Sequence, residues 1–329
     1  MPANLTPQYQ KAESEYRRAQ SPQEQVDCLQ RMLQLIPKHK GTEKLQADLK
    51  TRLKEAKSQW EAEKSAPKKG PTYRFPRQGA GQVIIIGGPN GGKSRLLAEL
   101  TNAEPDVAEY PFSTREPLPG MMPWKDIRVQ LIDTPPITAS HVEPYLLNLV
   151  RSADLCLLCF NGASDDAPEE TSEVVEQLKS RKTLLSNRSG FDDDDFSIVH
   201  VNTLMVVTHA DDPDVETRLE IFREIQPQPA QVVMVEFDRE ESRENLREQI
   251  VRACQVIRIY TKAPGKKAEY VDPYTIPVGG TVEDVAYKVH KDLGESLKFA
   301  KLWKAGETNP VNVGRDYVLE DGDLVELHT

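Results

Sequence analysis

A glycine-rich octapeptide constrains the fold of this chain more than any other feature. The octapeptide, GGPNGGKS at residues 87–94, directly follows the apolar run VIII at 83–86 and precedes the segment RLLAEL. Its spacing fits the phosphate-loop pattern G-x-x-x-x-G-K-[ST], and its flanks predict the strand and helix that this pattern requires. Glycines let backbone N–H groups turn toward phosphate oxygens, at the positive end of the following helix. The sequence therefore predicts a phosphate-binding loop in an α/β domain.

Two side chains of this loop have roles that follow from the pattern. Lys93 is expected to reach the β and γ phosphates, and the hydroxyl of Ser94 is expected to bind Mg²⁺. Lys93 is thus predicted to bind the nucleotide and to act in catalysis.

Length and composition exclude several classes of protein. The 329 residues suggest about two domains, and 38% hydrophobic residues suffice for a large core. No run approaches the ~18 apolar residues of a membrane helix, and the start MPANLTPQYQ lacks the pattern of a secretory signal. The four cysteines have no spacing typical of a disulfide framework, which is consistent with a reducing compartment. We therefore expect a cytoplasmic protein that does not bind membranes.

Hydrophobic periodicity divides most of the chain into three predicted segments. Residues 1–64 have apolar positions at helical intervals, and residues 65–81 form a linker rich in proline and glycine. In residues 82–256, short apolar runs alternate with amphipathic stretches, which predicts a mostly parallel, doubly wound sheet with helices on both faces. The predicted strands lie near 82–87, 127–132, 154–160, 202–208 and 231–236, and the predicted helices near 93–101, 142–151, 168–186, 213–225 and 240–253.

The last segment, residues 257–329, has a different pattern. It contains short apolar runs, a helix start at Thr281 with Asp284 three residues later, and a turn at Asp321-Gly-Asp. The segment is too short for a second wound sheet. It predicts a compact α+β module.

Three further stretches indicate which nucleotide the loop binds. The strand at 127–133 ends in Asp133, where a carboxylate can hold the shell of a Mg²⁺ ion. The stretch YPFST at 110–114 precedes that strand, so the hydroxyl of Thr114 can reach Mg²⁺ in the triphosphate state. The strand ending in THAD places Asp211 where its carboxylate accepts two N–H bonds from guanine, a pattern that adenine does not offer.

The order of these stretches, GGPNGGKS, YPFST, DTP and THAD, resembles the Obg-type branch of translation-factor GTPases. The segment from IRIYTKAPGKKAEYVDPYTIPVGGTVEDVAYKVHKDL to VLEDGDLVEL resembles the TGS domain of the developmentally regulated GTP-binding (DRG) proteins. IPKHKGTEKLQADLKTRLKEA is similar to their helical N-terminal region. The resemblance implies a P-loop GTPase domain with a ubiquitin-like β-grasp TGS domain, which binds GTP and GDP with Mg²⁺ and acts with the ribosome or RNA.

The resemblance also assigns roles to individual positions. Phosphate contacts fall at Gly87, Asn90, Gly91, Gly92 and Lys93, Mg²⁺ contacts at Ser94, Thr114 and Asp133, and guanine recognition at Thr208, His209 and Asp211. Lys93 and Thr114 are the catalytic candidates. In related GTPases an Asn at the position of Asn90 helps to bind K⁺; the alternative is a polar loop residue that caps its own backbone.

Several positions depart from the family pattern. Pro136 stands where the family has a glycine whose N–H binds the γ phosphate, and proline has no N–H. Ile137 stands where many GTPases keep a water-orienting Gln, so we expect slow hydrolysis of GTP to GDP. Thr208 and His209 replace the usual Asn and Lys of the guanine motif, and no fifth motif is recognisable at 236–239.

These departures leave two alternative functions open. One is a nucleotide-binding adaptor that is catalytically impaired because its second switch segment, 133–140, is degenerate. The other is an ATP-binding P-loop protein, because Asp211 is the main guanine reader. In the adaptor interpretation, the terminal modules carry the function. A GTPase would instead couple its nucleotide state to a partner through switch segments 106–114 and 133–140.

Partners are expected to contact the terminal modules. Residues 1–70 have more basic than acidic side chains although the whole chain has a net charge of −10, which is compatible with RNA binding or with an ordinary solvated helical surface. Acidic residues are also interleaved with the basic side chains of the last module, so a mixed solvated surface is the alternative there. We expect the ribosome or RNA as a partner, with a protein cofactor as a second one. The basic side chains of the last module are Lys288, His290, Lys291, Lys298, Lys301 and Lys304.

Overall fold

The computed structural model describes residues 5–19, 21–37, 42–65, 73–101, 116–138, 142–192, 195, 197–227, 231–267, 270–304, 307 and 309–329. The predicted Mg²⁺ ligand Thr114, the whole of switch segment 106–114 and residues 139–140 of the second switch lie outside these described residues.

The N-terminal part consists of three helices that begin at predictable residues. Thr6 accepts a hydrogen bond from the backbone N–H of Tyr9, and Ser21 accepts one from the N–H of Glu24. Each of these two caps is followed by a proline at the first helical position, where no N–H is needed. The apolar side chains of all three helices belong to one hydrophobic cluster that continues into the central domain. The helices are α1 (Pro7–Arg18), α2 (Pro22–Leu35) and α3 (Glu43–Ser65).

A mostly parallel sheet forms the central domain, as the alternation of strands and helices predicts. Its strands are β1 (Gln82–Ile86), β2 (Leu118–Trp124), β3 (Ile127–Asp133), β4 (Leu155–Asn161), β5 (Thr183–Ser186), β6 (Gly190–Phe191), β7 (Val199–Thr208) and β8 (Gln231–Met234). The helices are α4 (Lys93–Leu100), α5 (Pro144–Ser152), α6 (Ala167–Ser180), α7 (Val215–Ile225) and α8 (Glu240–Ala253). The strand order is β2-β3-β1-β4-β7, with β8 beside the C-terminal half of β7 and β5 and β6 beside its N-terminal half. All five residues of β1 are buried, because helices cover both faces of the sheet.

The structure corrects two details of the predicted elements. The helix predicted at 168–186 ends at Ser180, and the next residues turn back so that β5 pairs with β7 in parallel. Strand β2 was not predicted, because Pro119, Gly120 and Pro123 argue against a strand. It forms nevertheless because β2 lies at the edge of the sheet, antiparallel to β3, where missing N–H donors are tolerated.

The C-terminal module has its own five-stranded sheet in the order β10-β9-β13-β11-β12. β9 and β13 are parallel and the other pairs antiparallel. Thr281 and Asp284 form the predicted capping box at the start of α9. The elements are β9 (Val256–Thr261), β10 (Tyr274–Pro277), α9 (Val282–Val289), α10 (Lys291–Ser296), β11 (Phe299–Trp303), β12 (Val311–Val313) and β13 (Leu324–His328).

Charged side chains join the three modules. Asp154, at the start of β4, pairs with Arg18 of α1 and Arg77 of the linker. Asp126, in the turn between β2 and β3, accepts hydrogen bonds from Arg258 and Tyr260 of β9. One carboxylate of the central domain thus contributes to its attachment to the N-terminal helices, and another to its attachment to the C-terminal module.

No helix among the described residues is long and apolar enough to cross a membrane. All four cysteines carry free thiols.

Candidate nucleotide-binding site

The glycine-rich loop between β1 and α4 adopts the conformation that its sequence predicts. Asn90 and Gly92 have positive φ angles of 52° and 85°, which turn the backbone back on itself ahead of α4. At Gly92 a side chain is excluded for a second reason, because a Cβ there would lie 3.1 Å from the methyl group of Thr208. The loop therefore packs directly against the end of β7.

Lys93 is buried at the centre of this loop. Its side chain is 6% exposed, and its Nζ donates a hydrogen bond of 2.6 Å to the carbonyl oxygen of Gly88. Burial lowers the pKa of the ammonium, and the nearby Asp133 carboxylate opposes this effect. The ammonium is positioned inside the curl of the loop, where a phosphate oxygen can replace the carbonyl as its partner.

The two predicted Mg²⁺ ligands that the structure describes are adjacent. β1 and β3 are parallel neighbours, so their ends meet at one edge, and Ser94 Oγ donates a hydrogen bond of 2.6 Å to Asp133 Oδ2. Asp133 is fully buried. Hard oxygen donors of this kind fit Mg²⁺, which usually takes one or two protein ligands and completes its shell with phosphates and water. The described residues contain no group of three or more His, Cys, Asp or Glu side chains that would hold a metal without a nucleotide.

The start of the second switch segment is fixed to the glycine-rich loop. The N–H of Ile137 donates a hydrogen bond of 3.1 Å to the carbonyl oxygen of Gly87, and the Ile137 side chain is 1% exposed. The hydroxyl of Thr134 donates to the carbonyl oxygen of Ile85 at 2.6 Å. Pro136 lies between these two fixed points without an N–H of its own. In this conformation the Ile137 side chain packs in the core.

The predicted base-reading residues follow β7. Thr208 is buried, and its Oγ1 donates to the carbonyl oxygen of Phe160 at 3.3 Å. His209 is exposed and has a positive φ of 53°, which turns the chain out of the sheet. The N–H of Ala210 donates to the carbonyl oxygen of Val235 at 3.4 Å. This bond places the loop after β8, where the fifth motif was expected, beside the base-reading loop.

Two adjacent carboxylates in this loop differ in their contacts. Asp212 accepts hydrogen bonds from the backbone N–H of Asp214 at 3.0 Å and from Arg218 Nη1 at 2.6 Å, and these bonds hold its pKa below the usual range. Asp211 is exposed and makes no hydrogen bond or ion pair within the described part of the chain. Asp211 is thus the carboxylate that remains available to a ligand.

Three contributors to the site were not recognised in the sequence. Asn161, the last residue of β4, donates from Nδ2 to the carbonyl oxygen of Asn90 at 3.1 Å. Arg218 donates to the carbonyl oxygen of Gly162 at 2.6 Å and so joins the loop after β4 to the loop after β7. Polar residues at the C-terminal ends of parallel strands are a signal that points to Asn161. Arg218 lies on α7, where no pattern distinguishes it from other surface arginines.

The third contributor, Glu170 of α6, lies beside Gly88 of the glycine-rich loop. A Cβ added at Gly88 would lie 3.2 Å from Glu170 Cβ, which explains why a glycine occupies position 88. Burial raises the pKa of Glu170, and the neighbouring Lys93 ammonium opposes this shift.

The structure brings most of the predicted site residues to the C-terminal edge of the parallel sheet, where α/β domains bind ligands. The glycine-rich loop meets Asp133 on one side and Thr208 on the other, and Asp211 follows within the same loop cluster. Thr114 lies outside the described residues.

The fold and this site define a P-loop GTPase domain that is followed by a TGS domain. Residues 82–188 match the family model described as 50S ribosome-binding GTPase, and residues 257–329 match the TGS domain model. Both domains were predicted from the sequence and are confirmed by these matches.

The whole chain is also similar to known GTP-binding proteins. An uncharacterized GTP-binding protein of Methanocaldococcus jannaschii is 26% identical, with 93% of this chain and 92% of that protein aligned. Developmentally-regulated G-protein 1 of Arabidopsis thaliana is 24% identical over 88% of this chain and 87% of its own length. The structure of the YchF GTPase of Schizosaccharomyces pombe superposes with a TM-score of 0.54 at 13% identity, over 79% of this chain and 100% of that one. This chain is thus related to the DRG proteins and shares its fold with YchF.

Proposed function

We propose that this chain is a Mg²⁺-dependent GTP-binding protein that slowly hydrolyses GTP to GDP and acts with the ribosome or RNA in the cytoplasm. In this proposal the helical region 1–64 and the TGS domain 257–329 flank a GTPase domain at 82–256, after the linker 65–81. The observation that carries the proposal is the convergence of three features at one edge of the sheet. These are the buried ammonium of Lys93, the adjacent oxygens of Ser94 and Asp133, and the available carboxylate of Asp211.

Each feature matches one part of a guanine nucleotide. The N–H groups of residues 87–94 and the Lys93 ammonium bind the phosphates. Ser94 and Asp133, with Thr114, would hold Mg²⁺, which neutralises negative charge on the phosphate oxygens. Asp211 accepts the two N–H donors of guanine, while Thr208 supports the glycine-rich loop and His209 turns the chain toward the base.

Slow hydrolysis is supported by the contacts of Ile137. A buried isoleucine whose N–H is already bonded to Gly87 has no group that can orient water for in-line attack. Pro136 supplies no N–H to the γ phosphate. Lys93 therefore remains as the main described side chain that stabilises charge on the transferred phosphoryl group.

The same contacts favour one second candidate. A GTPase whose second switch segment stays bonded to Gly87 in both nucleotide states would be an adaptor with a single conformation. No contact of the described residues favours ATP, and a comparison of GDP with ADP separates that alternative.

A ribosomal partner is supported by the description of the family model that residues 82–188 match, 50S ribosome-binding GTPase. Among the basic residues of this domain, Lys291, Lys301 and Lys304 are each paired with carboxylates. These pairs reduce the charge available to phosphate oxygens, so Lys288 and Lys298 are the stronger candidates for RNA contacts.

Competition between nucleotides tests the proposal. A fluorescent GDP derivative is bound to the purified protein in Mg²⁺ and K⁺ and displaced by GDP, GTP or ADP, and single-turnover hydrolysis of GTP is followed in parallel. The proposal predicts displacement by GDP and GTP at concentrations at least tenfold below those needed for ADP, and slow release of phosphate. Equal displacement by ADP would contradict the guanine assignment. Phosphate release that equals the uncatalysed rate, with guanine selectivity intact, would favour the adaptor.

Replacing K⁺ by Na⁺ tests whether Asn90 contributes to a K⁺ site.

A further inference from the structure

A second polar cavity lies between the N-terminal helices and the GTPase domain, at the N-terminal end of β7. Its volume is about 580 Å³, within the range of small-molecule sites. Residues of α1, α2, α3 and α5, of the linker and of the ends of β6 and β7 line it. Its charged lining comprises Arg17, Arg52, Arg74 and Arg151, with Asp48 and Glu55 as the carboxylates.

The arginines of this cavity outnumber its carboxylates, and one carboxylate is already engaged. Asp48 Oδ2 accepts a hydrogen bond of 2.8 Å from Arg52 Nε. Burial lowers the pKa of Arg17 and of Arg151, and a neighbouring arginine lowers each further, Arg18 in the first case and Arg52 in the second. The carboxylates of Asp154 and Glu13 oppose the shift at Arg17, but neither of them lines the cavity. The free protein therefore holds several partly buried cations close together, an arrangement that an anion would stabilise.

Arg17 has a donor that is directed to no protein acceptor. Its Nη1 atom is buried and has no hydrogen-bond partner among the described residues. A buried donor without a partner costs free energy, and the cost is larger for a charged group. The guanidinium of Arg17, which lines the cavity, therefore has hydrogen-bonding capacity that the described residues leave unused.

Two of the other arginines, Arg52 and Arg151, are held in place before any ligand arrives. The Arg52 guanidinium lies 4.3 Å from the ring centroid of Phe191. Arg151 donates from Nε to Thr183 Oγ1 at 2.8 Å and from Nη2 to the carbonyl oxygen of Arg181 at 2.5 Å. Fixed guanidinium groups lose little conformational entropy on binding, and their planar donor pairs match the oxygens of phosphate.

We propose that this arginine-lined cavity is a second binding site, specific for a small phosphate-bearing molecule. The cavity is a bounded space of small-ligand size rather than a basic stripe along the surface, which favours a small molecule over a nucleic acid. Its ligand would contact α1 and α3 on one side and α5 on the other. Occupancy would therefore strengthen the attachment of the N-terminal helices to the GTPase domain. None of the cavity residues belongs to the nucleotide site.

Calorimetric titration of the full chain with inorganic pyrophosphate tests this site. GDP is present in saturating excess, so that the glycine-rich loop is occupied. If the wild-type protein does not bind GDP, the titration is done with the Lys93→Ala variant instead. The arginine-lined site is thus tested separately from the proposed nucleotide site. We expect one saturable site whose affinity falls at least tenfold in Arg17→Gln. Arg31→Gln serves as the matched control, because Arg31 is on α2, is paired with Glu15 and lies outside the cavity.

The outcomes decide the proposal in either direction. Binding that is lost in Arg17→Gln and retained in Arg31→Gln supports it, as does an increase in thermal midpoint with pyrophosphate that Arg17→Gln removes. No saturable binding, or equal binding by both variants, overturns it. A short single-stranded RNA that displaces pyrophosphate with the same dependence on Arg17 would also overturn it, since the ligand would then be a nucleic acid. If circular dichroism shows that Arg17→Gln is unfolded, Arg74→Gln replaces it with the same expected loss.

Discussion

Asp211 and Asp212 are neighbours in the chain, yet their contacts give them different tasks. Asp212 accepts hydrogen bonds from Arg218 and from the backbone N–H of Asp214, and these bonds stabilise the conformation of the loop. Asp211 makes no such hydrogen bond among the described residues and is exposed to solvent. At the scale of single residues, base recognition therefore depends on Asp211.

The substitution Asp211→Asn should change which base is bound. An amide accepts one hydrogen bond and donates another, so it suits xanthine, whose second ring carbonyl replaces the amino group of guanine. Hydrogen bonds to a charged group contribute about 1.5–3 kcal/mol, so GDP affinity should fall by at least tenfold while xanthosine diphosphate affinity rises. Calorimetry with both nucleotides measures the ratio. Asp212→Asn is the matched control, which should lower stability and leave the ratio unchanged; an altered ratio in both variants would argue against Asp211 as the base reader.

Pro136 accounts for the expected weakness of the γ-phosphate sensor. Pro136→Gly restores an N–H at the position where the family binds the γ phosphate. We expect the affinity for a non-hydrolysable GTP analogue to rise about tenfold relative to that for GDP, equivalent to about 1.4 kcal/mol. The neighbouring Pro135→Gly provides an N–H at the wrong position and is the control. If both variants change the ratio equally, flexibility rather than the new N–H is responsible.

At the scale of elements, the β2–β3 hairpin links the GTPase domain to the TGS domain. The hairpin connects the first switch segment to the strand that carries Asp133, and its turn residue Asp126 contacts Arg258 and Tyr260 of β9. The Arg258 guanidinium also lies 5.5 Å from the ring centroid of Trp124. If nucleotide binding moves the hairpin, these contacts would transmit the movement directly to β9 of the TGS domain.

Asp126→Asn should destabilise this contact by about 1–2 kcal/mol, the cost of weakening charged hydrogen bonds. Burial raises the pKa of Asp126, but the hydrogen bonds from Tyr260 and Arg258 outweigh burial and leave the pKa below its ordinary value. Its contribution to stability is therefore complete above the unfolded pKa of about 3.9 and is lost as the pH falls through the lower, folded pKa. Urea unfolding of both proteins between neutral and acidic pH measures the difference. A difference that grows on acidification would contradict the assignment.

The elements that sequence predicts well are those whose residues act locally. The glycine-rich loop, the capping box at Thr281 and the buried parallel strands each depend on neighbours within a few positions. β2 was not predicted because its prolines argue against a strand, although an edge strand tolerates them. The end of α6 was placed too late because the pairing of β5 with β7 overrides helical periodicity. For the site, Lys93 and Ser94 follow from spacing alone. Asn161, Arg218 and Glu170 do not, since their roles arise only when distant loops meet.

At the scale of the whole molecule, the buried carboxylate of Asp154 holds three segments together. It pairs with Arg18 of α1 and Arg77 of the linker, and it also accepts a hydrogen bond of 2.9 Å from the backbone N–H of Gln82 at the start of β1. Such contacts join residues far apart in the chain, and no local pattern in the sequence predicts them.

Asp154→Asn should release the N-terminal helices from the GTPase domain. Removing one partner of a buried ion pair costs about 3 kcal/mol, because the remaining charges are left uncompensated. Hydrogen exchange should show faster exchange in α1 and around Arg77, with the strands of the TGS domain unchanged. Asp165→Asn is a matched control, since Asp165 is exposed and its pair with Arg218 is on the surface. Unchanged exchange in α1 would mean that its other contacts, such as apolar packing and the hydrogen bond from the N–H of Phe191 to Glu13, hold the helices.

The central claim, that this chain is a guanine-nucleotide-binding protein, is tested most directly by titration calorimetry with GDP in Mg²⁺, on the wild type and Lys93→Ala. We predict one site of about micromolar affinity, equivalent to about 8 kcal/mol, which is lost in Lys93→Ala because the buried ammonium no longer contacts the phosphates. Absence of GDP binding to a folded wild-type protein, or equal binding by a folded Lys93→Ala variant, would contradict the account.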